Sequence, residues 1–388
     1  MIFSTKQILF TAIALVVSTV SGQAVSATAS SPAAGASPVL AIPNTKIPWK
    51  NEYPQGESKP SPKAEWVSLV KDGPELRYAP NTLIGGLGGE IVNSDPTGNN
   101  SYCNWSWGGC LREDFDIVSC TDKTVWGTSF DDGPYPVTLE LLAYLRTINV
   151  KVTFFVVGKQ AVLYPEIVRQ AFNEGHEIGV HTWDHSELTT LTNDMVIGQL
   201  KWTALAVQEI IGVTPRLMRP PRGDIDDRVR YIVRQLGMVP AMWSVDSQDW
   251  RISTGGQTEE LLIANVTEWA NTAAQLTRGG NSLMHDLSNV TVGADIKALP
   301  ALHEKVKLSP VGTCAGWNNQ SYVEYMNNAA TNTSTGRGAV TSSSSSPTTF
   351  VSPAAGAARA QSGATGSLKV GSGALLSGVF AIAAAVLY

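Results

Sequence analysis

The residues most able to do chemistry appear first at Ser129-Phe130-Asp131-Asp132-Gly133-Pro134. Adjacent carboxylates repel, so a cation beside them is the usual way to keep both ionised, and it frees one to act as a base. The alternative is a loop Asp pair capping a helix that starts near Thr138. Residues downstream must decide. His181-Thr182-Trp183-Asp184-His185 places two of the chain's five histidines four residues apart. That spacing can present both imidazoles on one face of a helical turn, and neutral imidazole suits zinc. With Asp132, the pair makes a set of two His and one carboxylate, which leaves a position open for water.

Three further clusters follow in order. Arg219-Pro220-Pro221-Arg222-Gly223-Asp224 is a rigid turn that fixes where an arginine points and exposes backbone N–H groups, so Arg219 is placed to orient an acid. Asp246-Ser247-Gln248-Asp249-Trp250 and Ser282-Leu283-Met284-His285-Asp286 supply a candidate general acid, His285, and a carboxylate, Asp249, to hold its imidazole and raise its pKa. His176 and His303 stand apart from such clusters and read as structural. A zinc peptidase is disfavoured because no His-Glu-x-x-His is present.

Each cluster needs an element to deliver it, and each falls just after a strand. Val125, Trp126 and Phe130 mark a buried strand that ends at a Gly-Pro breaker. A helix through Leu141, Leu142, Leu145 and Ile148 follows, then a strand at Val152 to Val157 and a helix after Pro165 with Ile167, Val168, Ala171 and Phe172 on one face. Strands at Glu177 to Val180, Arg216 to Met218, Val239 to Val245 and Ser282 to Met284 alternate with helices at Met195 to Ile211, Asp227 to Leu236 and Thr258 to about Leu276. Repeated βα units argue a parallel sheet, open or closed into a barrel, with the chemistry on loops after the strands.

The 388 residues divide unevenly around this core of about 200 residues. Net charge is −5 without a basic cluster, which excludes the electrostatic footprint of a nucleic-acid binder. Lys6, the apolar run Ile8 to Val20 and the small residues after it have the form of a cleaved secretory signal, assigned to 1–22. At the other end, Ala374 to Leu387 is apolar, preceded by a polar spacer and by Ser362, Gly363 and Ala364. That is the pattern of a GPI-anchor signal over 363–388, with Ser362 the expected attachment residue. Residues 23–120 are expected to form an N-terminal extension, an extended arm with a short ordered piece near Ala64 to Val70, ending in a small disulfide loop. Residues 121–315 are expected to form the catalytic domain and 316–362 a Ser/Thr-rich stalk. Cys103, Cys110, Cys120 and Cys314 are an even set in an oxidising compartment. Of the three possible pairings, Cys103 with Cys110 and Cys120 with Cys314 is favoured, because the second ties together the ends of the core. Sequons at Asn99, Asn104, Asn265, Asn289, Asn319 and Asn332 agree with secretion. Trp105 and Trp107 could stack on sugar rings, but a hydrophobic plug under the disulfide is the favoured reading.

The five ordered clusters resemble the motifs of the polysaccharide deacetylases of carbohydrate esterase family 4, which share the NodB homology domain. The resemblance spans about 121 to 315. It implies an α/β fold, a distorted (β/α) barrel, and metal-dependent hydrolysis of acetyl groups. With the secretory signal, the serine-rich stalk and the GPI signal, the chain further resembles the fungal chitin deacetylases, acting on chitin or GlcNAc oligomers at the cell surface. By that resemblance Asp132, His181 and His185 would hold Zn2+ or Co2+, Asp131 would be the base, and Arg219 would keep Asp131 placed. His285 oriented by Asp249 would be the acid, and the Arg222 backbone N–H would meet the oxyanion. Trp250 and Leu283 would wall the acetyl pocket. A monomer is expected, touching the membrane only through a GPI anchor. Two positions depart from the family pattern. Ser129 stands where Thr is usual, and Arg222 stands where many members have Tyr, which sets a cationic side chain beside the expected substrate groove. The competing readings are the same fold acting on another acetylated polymer, and a non-catalytic glycan-binding wall protein.

Overall fold

In the computed structural model of the chain, residues 47–324 are described, apart from 56–58, 87 and 319. The expected signal (1–22), GPI segment (363–388), Ser362, Asn319 and Asn332 lie outside the described residues. The first paired strands, β1 (Thr82–Ile84) and β2 (Glu90–Val92), form a small antiparallel hairpin. The body is a sheet of eight strands: β3 (Val125–Asp131), β4 (Thr153–Val156), β5 (Glu177–Val180), β6 (Leu217–Met218), β7 (Val239–Pro240), β8 (Val245–Asp246), β9 (Asn281–His285) and β10 (Lys307–Ser309). They run in the order β7-β6-β5-β4-β3-β9-β8, with β10 paired to the start of β3, and every pairing is parallel. With helices packed against the strands, this is the expected distorted (β/α) barrel.

The local sequence explains the elements. β4 and β5 are buried along their whole length, as parallel strands covered on both faces must be. Helix Pro165–Asn173 opens on proline and buries Ile167, Val168 and Ala171; helix Asp227–Gln235 buries Val229, Ile232 and Val233 on one stripe. Thr192, Asp226 and Thr258 accept N-terminal N–H bonds from Met195, Val229 and Leu261, and Ser288 with Thr291 closes a capping box at helix Asn289–His303.

The structure corrects three expectations. The stretch Val239 to Val245 is two strands rather than one, because β7 and β8 lie at opposite ends of the strand order. Helix Asn289–His303 and β10 complete the barrel beyond the elements expected from sequence, and the body continues past 315. The Tyr322 hydroxyl accepts a 2.8 Å bond from Ile178 N, and Thr214 N donates to Glu324 at 2.6 Å. Residues 47–120 are no extended arm. The Tyr53 ring stacks on Trp183 with centroids 5.9 Å apart, and Trp66, 8% exposed, packs edge-on against Trp202. Asn81 N donates to Thr189 O at 2.9 Å. These aromatics follow no helical or strand period, so burial by a winding segment left no periodic signature.

Both favoured disulfides form, Cys103–Cys110 and Cys120–Cys314. Arg230 ties the first loop to the barrel through Asp116 at 2.9 Å and Cys110 O at 3.0 Å. Trp105 packs against Trp243 with centroids 4.5 Å apart, as a plug would, while Trp107 is 49% exposed. Asn99 and Asn289 are exposed and Asn265 is half-buried. Asn104 is fully buried, capping the turn Trp105–Gly108 by accepting from Trp107 N, so this fold gives it no room for a glycan.

Candidate active site

The C-terminal ends of the parallel strands bring the predicted residues together. β3 ends in Asp131, whose Cα partner across the sheet is His285 at the end of β9. Asp132, Thr182 and His185 all adopt left-handed backbone (φ 81, 63 and 64°), as do Arg222 and Gln248. Such conformations in non-glycine residues cluster where a fold aims side chains at a shared point. The glycine of the first motif is required by close approach: a Cβ at Gly133 would lie 2.1 Å from Asp286 Oδ2.

Asp132 Oδ1 lies 3.3 Å from His181 Nε2 and 3.2 Å from His185 Nε2, and the three ligand atoms are within 4.8 Å of one another. His181 Nδ1 is 2.8 Å from Arg219 O; a proton there leaves the Nε2 lone pair facing Asp132. Asp132 Oδ1 is buried and, among the described residues, has no hydrogen-bond donor. Burial works against the Asp132 carboxylate, but His185 and His181 outweigh it and hold its pKa well below the ordinary value. An orphaned carboxylate oxygen between two imidazole nitrogens fits a divalent cation.

Arg219 is fully buried and spends its fork on four acceptors. Nε donates to Ala241 O at 2.7 Å, Nη1 to Ser129 Oγ at 2.6 Å and to Asp131 Oδ1 at 2.9 Å, and Nη2 to Met242 O at 3.1 Å. Ser129 Oγ donates onward to Ser282 O at 2.9 Å, so its hydroxyl links the arginine to β9. On the other side, His285 Nδ1 is 2.6 Å from Asp249 Oδ1 and His285 N donates to Asp249 Oδ2 at 2.8 Å. Burial opposes charge on His285, but Asp249, aided by Asp132 and Asp131, raises its pKa to about 10. Leu283, two residues earlier on β9 and therefore on the same face, is only 5% exposed, and Trp250 beside Asp249 is 45% exposed.

Arg222 differs from its expected setting. Its side chain donates to Glu187 Oε1 at 2.9 Å and to Gly89 O at 2.8 Å, and Glu187 also accepts from Gly88 N at 3.1 Å. The charge is therefore paired with an almost fully buried carboxylate, and it clasps the turn of the β1–β2 hairpin. Sequence reasoning missed Glu187, and it passed over Asp286. Burial pushes the Asp286 carboxyl up to about 7; it accepts from Gly133 N at 3.0 Å and from Thr138 Oγ1, fixing the turn after Asp132. Its place directly after His285 was the available signal. His176 is buried, its ring edge against Phe154, and burial lowers its pKa to about 4; His303 ends helix Asn289–His303.

A model of the polysaccharide deacetylase family matches residues 118–241. Chitin deacetylase 1 of Cryptococcus neoformans var. grubii is 35% identical over 365 residues, covering 86% of this chain and 74% of that one. Chitin deacetylase 1 of Saccharomyces cerevisiae is 31% identical over 254 residues, 65% of this chain and 80% of that one. Among solved structures, the chitin deacetylase of Colletotrichum lindemuthianum overlaps 53% of this chain and 93% of its own length at 26% identity and a TM-score of 0.48.

Proposed function

The chain belongs to the fungal chitin deacetylases of the polysaccharide deacetylase family, and on that premise we propose that it hydrolyses the N-acetyl groups of chitin to give chitosan and acetate in the cell wall. The observation that carries this reading is the meeting of three units at the strand ends: the Asp132–His181–His185 donor set, the Arg219–Asp131 pair and the Asp249–His285 pair.

The donor set would hold Zn2+ or Co2+, which when bound supplies Lewis acidity toward a carbonyl oxygen and acidifies water. Asp131 would remove the proton from the attacking water. Its Oδ1 is occupied by Arg219, which leaves Oδ2 for that proton. As water oxygen bonds to the acetyl carbon, the carbonyl oxygen takes up charge, which the Arg222 backbone N–H would meet. The C–N bond then breaks. His285, with Nδ1 committed to Asp249, would give its Nε2 proton to the departing amine. Trp250 and Leu283 would enclose the acetyl methyl. Acetate and a glucosamine unit leave.

The apolar run at 374–387 supports a GPI anchor attached at Ser362, with a signal peptide over 1–22 and a stalk from about 325, in a monomer held at the cell surface. Among the described residues no helix is long and apolar enough to cross a membrane.

The test is acetate release from chitin oligomers by protein lacking the signal and tail, with and without a chelator, beside Asp131→Asn. Activity lost in both cases, and restored after chelation by zinc, is the expected result. Metal binding without acetate release from chitin would move the assignment to another acetylated polymer, or to glycan binding if every such polymer also failed.

A further inference from the structure

The acid–base pair at the end of β9 is backed by a third carboxyl that the scheme above leaves unused. Asp295 lies in the second turn of helix Asn289–His303 and is fully buried. Neither of its oxygens meets a well-aligned N–H or O–H donor of the described residues. The nearby main-chain N–H of His285 is given to Asp249 Oδ2 instead. Asp295 meets the carboxyl of Asp249, at hydrogen-bonding range.

Two carboxyls in contact inside a protein cannot both ionise, so one proton must lie between them. The donors around each group decide where it sits. Asp249 accepts from His285 N, from His285 Nδ1 and from Ser247 Oγ at 2.9 Å, and all three favour its anion. Asp295 has no such set. Burial, and then Asp249, push the Asp295 carboxyl well above the ordinary range. Asp249 itself is held low by His285 against the effect of burial. Asp286, whose own carboxyl is pushed up by burial, also faces Asp295. The proton belongs on Asp295.

We propose that Asp295 is a positioning residue for the deacetylation: it stays neutral, and its O–H donates to Asp249, fixing the carboxylate against which His285 is held. The proposal rests on the reading of His285 as the general acid. By sharing the charge of Asp249, the Asp295 hydroxyl weakens the grip of that carboxylate on the imidazolium proton. That matters because an acid that holds its proton too tightly transfers it slowly. The remaining groups facing His285 are Asp131 and Asp132 after β3, Asp246 at the end of β8, and His185 after β5. A substitution at 295 alters none of them.

The experiment compares metal-loaded wild type, Asp295→Leu and Asp295→Asn on a soluble chito-oligomer across pH. Leucine removes the donor, so the alkaline limb of kcat should move up by about one pH unit and kcat should fall about tenfold with KM unchanged. Asparagine keeps an N–H donor of the same shape and should restore the wild-type limb, with kcat within about threefold. Infrared spectra of the wild type at neutral pH should show a protonated-carboxyl C=O band that Asp295→Asn lacks. A downward shift of the limb in Asp295→Asn would show that Asp295 carries charge and would overturn the proposal. A folded Asp295→Leu with the wild-type profile would do the same. If Asp295→Leu does not fold, the asparagine profile and the infrared band decide. The band reads the shared proton without turnover, so its absence refutes this proposal alone, whereas full activity in His285→Ala refutes the acid assignment.

Discussion

Replacing Arg219 by methionine keeps the length of a buried side chain and removes every donor it offers. The consequences can be counted acceptor by acceptor. Met242 O keeps a 2.7 Å bond from Asn281 Nδ2, and Ser129 Oγ loses only an acceptor role while still donating to Ser282 O. Ala241 O loses its Arg219 bond, and Asp131, whose side chain is 3% exposed, loses the one cation hydrogen-bonded to it among the described residues. The unpaired carbonyl costs about 1–3 kcal/mol and the stranded carboxylate about 3–5 kcal/mol, terms that are not additive and are reduced because a guanidinium no longer has to be desolvated. A net loss of about 4 kcal/mol is expected, a large share of the roughly 5–15 kcal/mol that stabilises a typical fold. Urea unfolding followed by tryptophan fluorescence, disulfides intact, measures it. Adding Asp131→Leu should recover about 3 kcal/mol, because the stranded charge then disappears. An Arg219→Met variant within about 1 kcal/mol of wild type, or a double variant no more stable than the single one, would refute the claim that this pair is held together by mutual need.

Three other outcomes follow from the same contacts. Asp249→Asn removes the carboxylate that most raises His285. A raised imidazole pKa contributes stability and acid function that are fully present below about 6.5 and are lost as pH rises through about 10, so the substitution should pull the alkaline limb of kcat down by about two units; a pH–rate profile that stays in place would contradict it. Because Cys120–Cys314 spans 194 residues and Cys103–Cys110 only 7, replacing the first pair should cost about 5 kcal/mol and the second about 2 kcal/mol, read as the change in unfolding free energy with m fitted separately for each variant. Arg222→Tyr breaks the clasp on Glu187 and the hairpin turn while keeping the backbone N–H, so kcat/KM on long chitin chains should fall several-fold more than on a short chito-oligomer; equal loss on both would show that the hairpin does not touch the longer substrate.

The acids and histidines of the site were legible because each follows a strand whose run of β-favouring residues is easily read. Asp131, Asp132, His181, His185, Arg219, Asp249 and His285 fall together because parallel strands point their C-terminal ends the same way. Asp295 was not legible: it sits mid-helix, far from any motif, and only the packing of that helix against β9 brings it to Asp249. Glu187 and the hairpin turn were hidden for a similar reason, since their partner is Arg222, 35 residues further on than Glu187. The split of Val239 to Val245 into two strands was masked because the stretch is mostly apolar, with only Pro240 and Ser244 interrupting it, and such a run looks much the same whether the chain runs straight or crosses from one sheet edge to the other. Residues 47–120 escaped because scattered aromatics in a proline-rich stretch resemble a linker until they find Trp183 and Trp202.

β3 is the first strand of the barrel to leave the ribosome, yet two of its three partners, β9 and β10, are the last. During synthesis at about 5–20 residues per second, the donor set of Asp132, His181 and His185 is therefore complete roughly 5–20 seconds before His285 emerges. For that interval the chain carries the three candidate metal ligands without His285, the proposed proton donor to the leaving amine. The edge of β3 that will receive β9 is also unpaired, and is open to any other extended segment nearby. The Cys120–Cys314 bond, whose second cysteine follows β10, can close only after both β9 and β10 have been synthesised. That bond thus joins the segment before β3 to the segment after β10, and a chaperone that shields β3 until β9 is made would act on the step most exposed to mispairing.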